Sequence, residues 1–196
     1  MSCGVFSEPV SEIGKMIEEK KAEGKSPVIV SIDGRCASGK TTLGGLLAKQ
    51  YPDALLLHMD DYYLQPHQRT AKRYAIPGEN IDHERFLEQI LKPASENRPL
   101  ILQRLVCPDL VLEEASSVSP SGLIIIEGSY SFHPDLLPYY DLKIFVSTSP
   151  KKQLERIEKR NGPAKAEDFK NRWIPLEEKY IAACHPQQKA DLQIET

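Results

Sequence analysis

Four compact apolar runs set the rhythm of the chain. Val28 to Asp33 is β-branched and stops at Gly34. Ala54 to Met59 stops at Asp60-Asp61, Leu123 to Ile126 stops at Glu127-Gly128, and Leu142 to Val146 is the fourth. Each has the length of a strand covered on both faces, where alternation of polar and apolar positions is not needed. Between them the spacing turns helical. Val10 to Glu23 carries Ile13, Met16 and Ile17 and is closed by Gly24; Thr41 to Gln50 carries Leu43, Leu46 and Leu47; Asp82 to Leu91 carries Phe86, Leu87, Ile90 and Leu91. Lys151 to Arg160 and Glu167 to Ala183 read as charged helices, and Ala190 to Ile194 as a last edge strand. Strands alternating with helices predict an α/β fold whose parallel sheet is covered on both faces. Leu100 to Val106 and Leu110 to Glu114 flank Cys107-Pro108-Asp109 and predict a hairpin inserted on that sheet. Tyr62 to Glu79, polar and bearing Arg69, Lys72 and Arg73, reads as an ordered but exposed loop.

Composition narrows the class. The 196 residues fit a single domain over 1–196, with 40% apolar and 27% charged residues, as in globular proteins. A net charge of -3 gives no basic footprint for nucleic acid. No apolar run reaches the roughly 18 residues of a membrane span. MSCGVFSEPV lacks a basic stretch followed by an apolar core, so a cytoplasmic location is expected. Cys3, Cys36, Cys107 and Cys184 show neither CxxC nor zinc-type spacing, and free thiols in a reducing compartment are expected.

The chemistry begins at Gly34, where GRCASGKT satisfies G-x-x-x-x-G-K-[ST] between a strand and a helix. Glycines let backbone N–H groups curl around an anion, and the helix start presents its positive end to the same anion. Gly34, Ala37, Ser38, Gly39, Lys40, Thr41 and Thr42 are thereby candidate ATP contacts. Lys40 would reach the β- and γ-phosphates, and Thr41 would hold Mg²⁺. Acids at the carboxyl ends of strands are the natural complement. Glu127 stands where a second metal-site acid belongs, with a capping carboxylate before Gly128 as the alternative. Asp60 and Asp61 are adjacent, so one pointing into the cleft turns the other away. Asp60 is favoured as base for the acceptor hydroxyl, and Asp61 is the alternative.

GRCASGKTT, HMDDYY, NIDHERF and IIIEG, in this order, resemble the uridine kinase-like group of P-loop nucleoside kinases, over about Val28 to Thr196. The resemblance implies a three-layer P-loop NTPase fold with a five-stranded parallel sheet and a helical lid at about 150–172. It also implies roles. Asp60 takes the acceptor proton, Tyr63 is a substrate-pocket aromatic, Asp82 binds sugar hydroxyls, Glu127 is the metal-site acid, and Arg156 and Arg160 lie on the phosphates. Two segments depart from the family. ILQRLVCPDLVLEE has neither the YDF-like segment nor the hairpin histidine of members that phosphorylate uridine. KKQLERIEKRNG has fewer arginines than an RLxRRxxRD lid.

The expected activity is ATP- and Mg²⁺-dependent transfer of the γ-phosphoryl group to a hydroxyl of a nucleoside-like small molecule. Alternatives are a nucleoside monophosphate kinase, which the basic Arg69-to-Arg73 loop keeps open, a kinase of another small alcohol, or a non-catalytic ATP-binding protein. A GTPase switch would need NKxD and DxxG segments, which the sequence lacks. The expected partner is a small-molecule acceptor, with no nucleic acid and no membrane, and a homo-oligomer remains open. Tyr62, Tyr63, Tyr74 and Trp173 are candidate stacking aromatics. Cys36, inside the loop, is either an oxidation-sensitive thiol or a small inert filler.

Overall fold

All seven residues of β1 (Val28–Gly34) are buried, because β1 is the middle strand of a sheet covered on both sides. The computed structural model describes residues 3–106 and 109–196. After β1 come β2 (Leu55–His58), the short strands β3 (Leu100–Leu102), β4 (Leu105–Val106), β5 (Val111–Leu112) and β6 (Ser116–Val118), then β7 (Leu123–Glu127), β8 (Leu142–Ser147) and β9 (Leu192–Glu195). The main sheet has the order β2-β7-β1-β8-β9, and every pairing in it is parallel. The predicted five-stranded parallel sheet is thus present, with Leu192–Glu195 at its edge.

The helices are α1 (Ser7–Ala22), α2 (Lys40–Gln50), α3 (Ala71–Tyr74), α4 (His83–Phe86), α5 (Lys92–Ser95), α6 (Pro150–Asn161), α7 (Pro163–Asp168) and α8 (Ile174–Cys184). Successive side chains of β1 go to opposite layers. Val28, Val30 and Ile32 join Ile13, Ile17, Leu43 and Leu47 of α1 and α2. Ile29 joins Phe86, Ile90, Tyr180 and Ile181 on the other face. This gives the three layers.

Three local differences have physical causes. The helix predicted over Asp82 to Leu91 continues to Ser95, because Leu87–Leu91 forms a π-helical turn that joins α4 to α5. The hairpin is interrupted: β3 pairs with β6 and β4 with β5, both antiparallel, with Gln103-Arg104 between the two ladders. Its predicted tip residues Cys107 and Pro108 lie outside the described residues. The segment Tyr62 to Glu79 is not simply exposed. Tyr62 and Leu64 are buried, and Arg73 folds back to donate to the carbonyls of Glu79 and Ile81 and to the Glu84 carboxylate. Cys36 and Cys184 are free thiols. Among the described residues, no helix is long and apolar enough to cross a membrane.

Candidate active site

The phosphate loop is shaped by two glycines. Gly34 has φ 143°, and a Cβ there would lie 1.9 Å from the Val146 carbonyl oxygen of the neighbouring strand. Gly39 has φ 106° and precedes α2, whose first turn faces the loop. Lys40 Nζ donates to the carbonyls of Gly34 at 2.9 Å and Arg35 at 2.8 Å and to Ser129 Oγ at 3.2 Å. Ala37, Gly39, Lys40, Thr41 and Thr42 line one cleft. Ser38 lies beneath it, fully buried.

Glu127 meets that cleft at the end of β7. Its Oε2 accepts from Thr41 Oγ1 at 3.2 Å, and its Oε1 from His58 Nδ1 at 2.6 Å. The second contact follows from strand register, which sets His58 directly beside Glu127. The Glu127 hydrogen bond raises the His58 pKa above its ordinary value, against burial, which lowers it. A threonine hydroxyl and a carboxylate are hard oxygen donors, the type Mg²⁺ takes. His58 heads the HMDDYY segment, but its contact with Glu127 follows only from the β2–β7 register.

Asp60 and Asp61 part as predicted. The 3₁₀ turn Met59–Tyr62 places Asp60 in the phosphate cleft. Asp61 lines a separate cleft with Gln103, Arg104 and Glu113, and burial raises its pKa. Tyr63 O–H donates to Asp60 Oδ1 at 3.1 Å.

Asp82 is not brought to this group. It is buried and caps α4, accepting from Arg85 N at 3.2 Å, Arg85 Nε at 3.1 Å and Gln65 Nε2 at 3.2 Å. Three donors converge on its carboxylate, and it lines neither the phosphate cleft nor the cleft beside it. Its neighbour Asn80 does line the latter.

The predicted lid helix reaches the loop. Arg156 Nη1 donates to the Ala37 carbonyl at 3.2 Å and to Thr196 Oγ1 at 2.8 Å, while Thr196 Oγ1 donates to the Ser38 carbonyl at 2.9 Å. Arg160 lines the phosphate cleft and is exposed. From α8, the buried Glu177 accepts from the Cys36 amide at 2.6 Å, Ser129 Oγ at 3.3 Å and Gln153 Nε2 at 2.9 Å. Burial pushes the Cys36 thiol up to about 12, which disfavours the reactive thiolate.

Behind the loop, Asp33 accepts from the amides of Gly34 (2.6 Å), Tyr130 (3.0 Å) and Phe132 (3.0 Å) and from Tyr180 O–H (2.7 Å). Burial pushes its carboxyl up to about 6, the hydrogen bonds opposing.

A second cleft of about 350 Å³ opens beside the first and shares Cys36, Asp60, Tyr63, Ser129 and Phe169 with it. Tyr63 and Trp173 approach within 6.2 Å on its wall. Tyr62 instead packs edge-on against Phe86, and Tyr74 lies elsewhere, beside Arg172.

Residues 30–194 match the deoxynucleoside kinase family. The chain belongs to that family. Among relatives, a uridine kinase of Ureaplasma parvum is 27% identical over 134 residues, which is 63% of this chain and 64% of that protein. Uridine kinase-like protein 3 of Arabidopsis thaliana is 28% identical over 167 residues, 79% of this chain and 34% of that protein. The chain thus spans less than two thirds of the length of these relatives. A possible uridine kinase from Bacillus stearothermophilus superposes with a TM-score of 0.61 at 21% identity, covering 93% of this chain and 99% of that one. Phosphoribulokinase from Rhodobacter spheroides gives 0.60 at 15% identity, covering 87% and 70%. Together these establish the P-loop kinase fold for this deoxynucleoside kinase family member.

Proposed function

We propose that the protein is a kinase that transfers the γ-phosphoryl group of ATP to a hydroxyl of a small, nucleoside-like acceptor. One observation carries the reading: Asp60 belongs both to the cleft formed by the phosphate loop and to the cleft beside it. A carboxylate on that shared wall is where a base must stand if phosphate donor and hydroxyl acceptor meet. The names of the uridine kinase relatives support the acceptor class.

ATP would supply the transferable group, and Mg²⁺ would neutralise part of the phosphate charge. Thr41 and Glu127, whose oxygens already face each other, would hold the metal. Lys40 and Arg156 place positive charge along the phosphates, where it counts most in a water-poor site. Tyr63 occupies Asp60 Oδ1 and so fixes the carboxylate. Asp60 takes the acceptor proton as the new O–P bond forms and the bond to the bridging β–γ oxygen breaks, with ADP as the leaving group. The segment 150–172 acts as the lid, carrying Arg156 and Arg160.

The test is ATP turnover across nucleosides, ribosides and small alcohols. Asp60→Asn is expected to lower kcat by about 10²–10⁴-fold while ATP still binds. If wild type and Lys40→Ala behave alike on every acceptor, the reading fails.

A further inference from the structure

The second cleft is lined by donors that the protein leaves unused. Of its carboxylates other than Asp60, Glu177 is engaged through both oxygens and Asp168 through one. Asp168 Oδ2 accepts from Trp173 Nε1 at 3.1 Å, and Glu177 is held by Cys36, Ser129 and Gln153. Its donors are not engaged in the same way. Arg69 is half-buried, and its Nε donates to the Leu64 carbonyl at 2.8 Å, which fixes the side chain. Among the described residues neither terminal nitrogen of Arg69 has a partner, and neither Arg69 nor Lys165 joins an ion pair. Asn80 is 5% exposed; its amide interacts with the neighbouring Tyr130 hydroxyl, but no contact of full hydrogen-bond geometry satisfies its buried Nδ2. All three line the cleft.

Buried donors in folded proteins are almost always satisfied, so an unsatisfied one in a cleft marks the place of a ligand oxygen. A fixed guanidinium with both terminal nitrogens free presents the fork that matches a carboxylate or phosphate. Arg69 and the Asn80 amide nitrogen offer donors only, and charged oxygens match a guanidinium fork better than neutral hydroxyls do.

We infer that the acceptor carries an anionic group, a phosphate or carboxylate, that is seated on Arg69, Lys165 and Asn80. The hydroxyl that meets Asp60 is then a second part of the same molecule. This second step rests on the kinase reading, whereas the anion seat stands on the cleft alone. A nucleoside-like acceptor that carries a phosphate or carboxylate has the required chemistry, and a sugar phosphate or hydroxy acid is its simplest probe.

Trp173 lines the cleft and is the single tryptophan of the chain, so its fluorescence reports occupancy. The phosphate cleft is first saturated with Mg²⁺ and a non-hydrolysable ATP analogue. Ribose 5-phosphate, glycerate, ribose and uridine are then titrated in turn. The first two separate phosphate from carboxylate as the source of the charge. At least one anion is expected to bind more tightly than ribose and uridine. Arg69→Ala should weaken that anion at least about tenfold, the loss expected for a charge-assisted hydrogen bond, and leave the neutral ligands unchanged. Lys165→Ala, at an exposed position, serves as a second variant that leaves packing intact and should also weaken the anion. Equal or tighter binding of the neutral ligands, indifference of the anion to both variants, or no response to either anion overturns the inference. Lys40-dependent turnover of uridine with no anion effect would sink it while sparing the kinase reading. Anion binding without turnover of any acceptor would do the reverse.

Discussion

His58 Nδ1 lies 2.6 Å from Glu127 Oε1, so an imidazole holds one oxygen of the carboxylate placed for the metal. The raised His58 pKa means that protons and metal compete for Glu127. A raised histidine stabilises the fold fully below its ordinary pKa and loses that contribution as pH rises through the folded value. Release of Glu127 follows the same direction.

Apparent Mg²⁺ affinity should therefore increase as pH rises through and beyond the ordinary histidine range, where this raised histidine loses its proton. His58→Ala should flatten the increase. Mg²⁺ activation curves at several pH values measure it, and an unchanged slope in the variant counts against the competition.

Tyr180 donates to a buried Asp33 whose carboxyl is pushed up to about 6. Such a group contributes stability below the ordinary carboxylate pKa and loses it as pH rises through about 6. The Tyr180 hydrogen bond moderates that loss because it favours the ionised form. Tyr180→Phe should cost about 1–3 kcal/mol above that pH and less below it. Denaturant unfolding on both sides of the transition is the check.

Asp82 balances the nearly buried Arg85, which also donates to the carbonyls of Gln103 and Asp61. Asp82→Ala leaves that guanidinium without its carboxylate and should destabilise by about 3–5 kcal/mol. Thermal unfolding and acceptor KM, measured together, separate this role from sugar binding. A raised KM with unchanged Tm would restore Asp82 to the acceptor.

Gly34→Ala would place a methyl group 1.9 Å from the Val146 carbonyl oxygen at a φ of 143°. The clash is with backbone, so β1 and β8 must separate at the loop. A loss above about 4 kcal/mol is expected, with soluble yield and circular dichroism as readouts.

Much of this could be read along the chain, and the exceptions share a cause. β1, the phosphate loop and α2 are local: β-branched residues, glycines and a lysine in one stretch specify them. The Asp60–Asp61 divergence is also local, since neighbouring side chains in a turn cannot share a direction. His58 and Glu177 could not be read, because their partners lie 69 and 141 residues away and depend on strand register and on how α8 docks. Asp82 was visible as a motif, and its cap on Arg85, three residues on, is local, but the Gln65 donor and the burial that close it off come from tertiary packing. Tyr62 and Leu64 looked exposed because their neighbours are polar, yet their side chains reach the core.

The two clefts share one wall, formed by Cys36, Asp60, Tyr63, Ser129 and Phe169. A single synthetic molecule that joins an adenosine polyphosphate to an acceptor fragment can therefore occupy both without crossing a barrier. Once its nucleotide end is bound, the other end is held at an effective concentration of order millimolar, so even a weak acceptor fragment becomes a useful anchor. The length of tether that binds best would act as a ruler for the distance between the two seats.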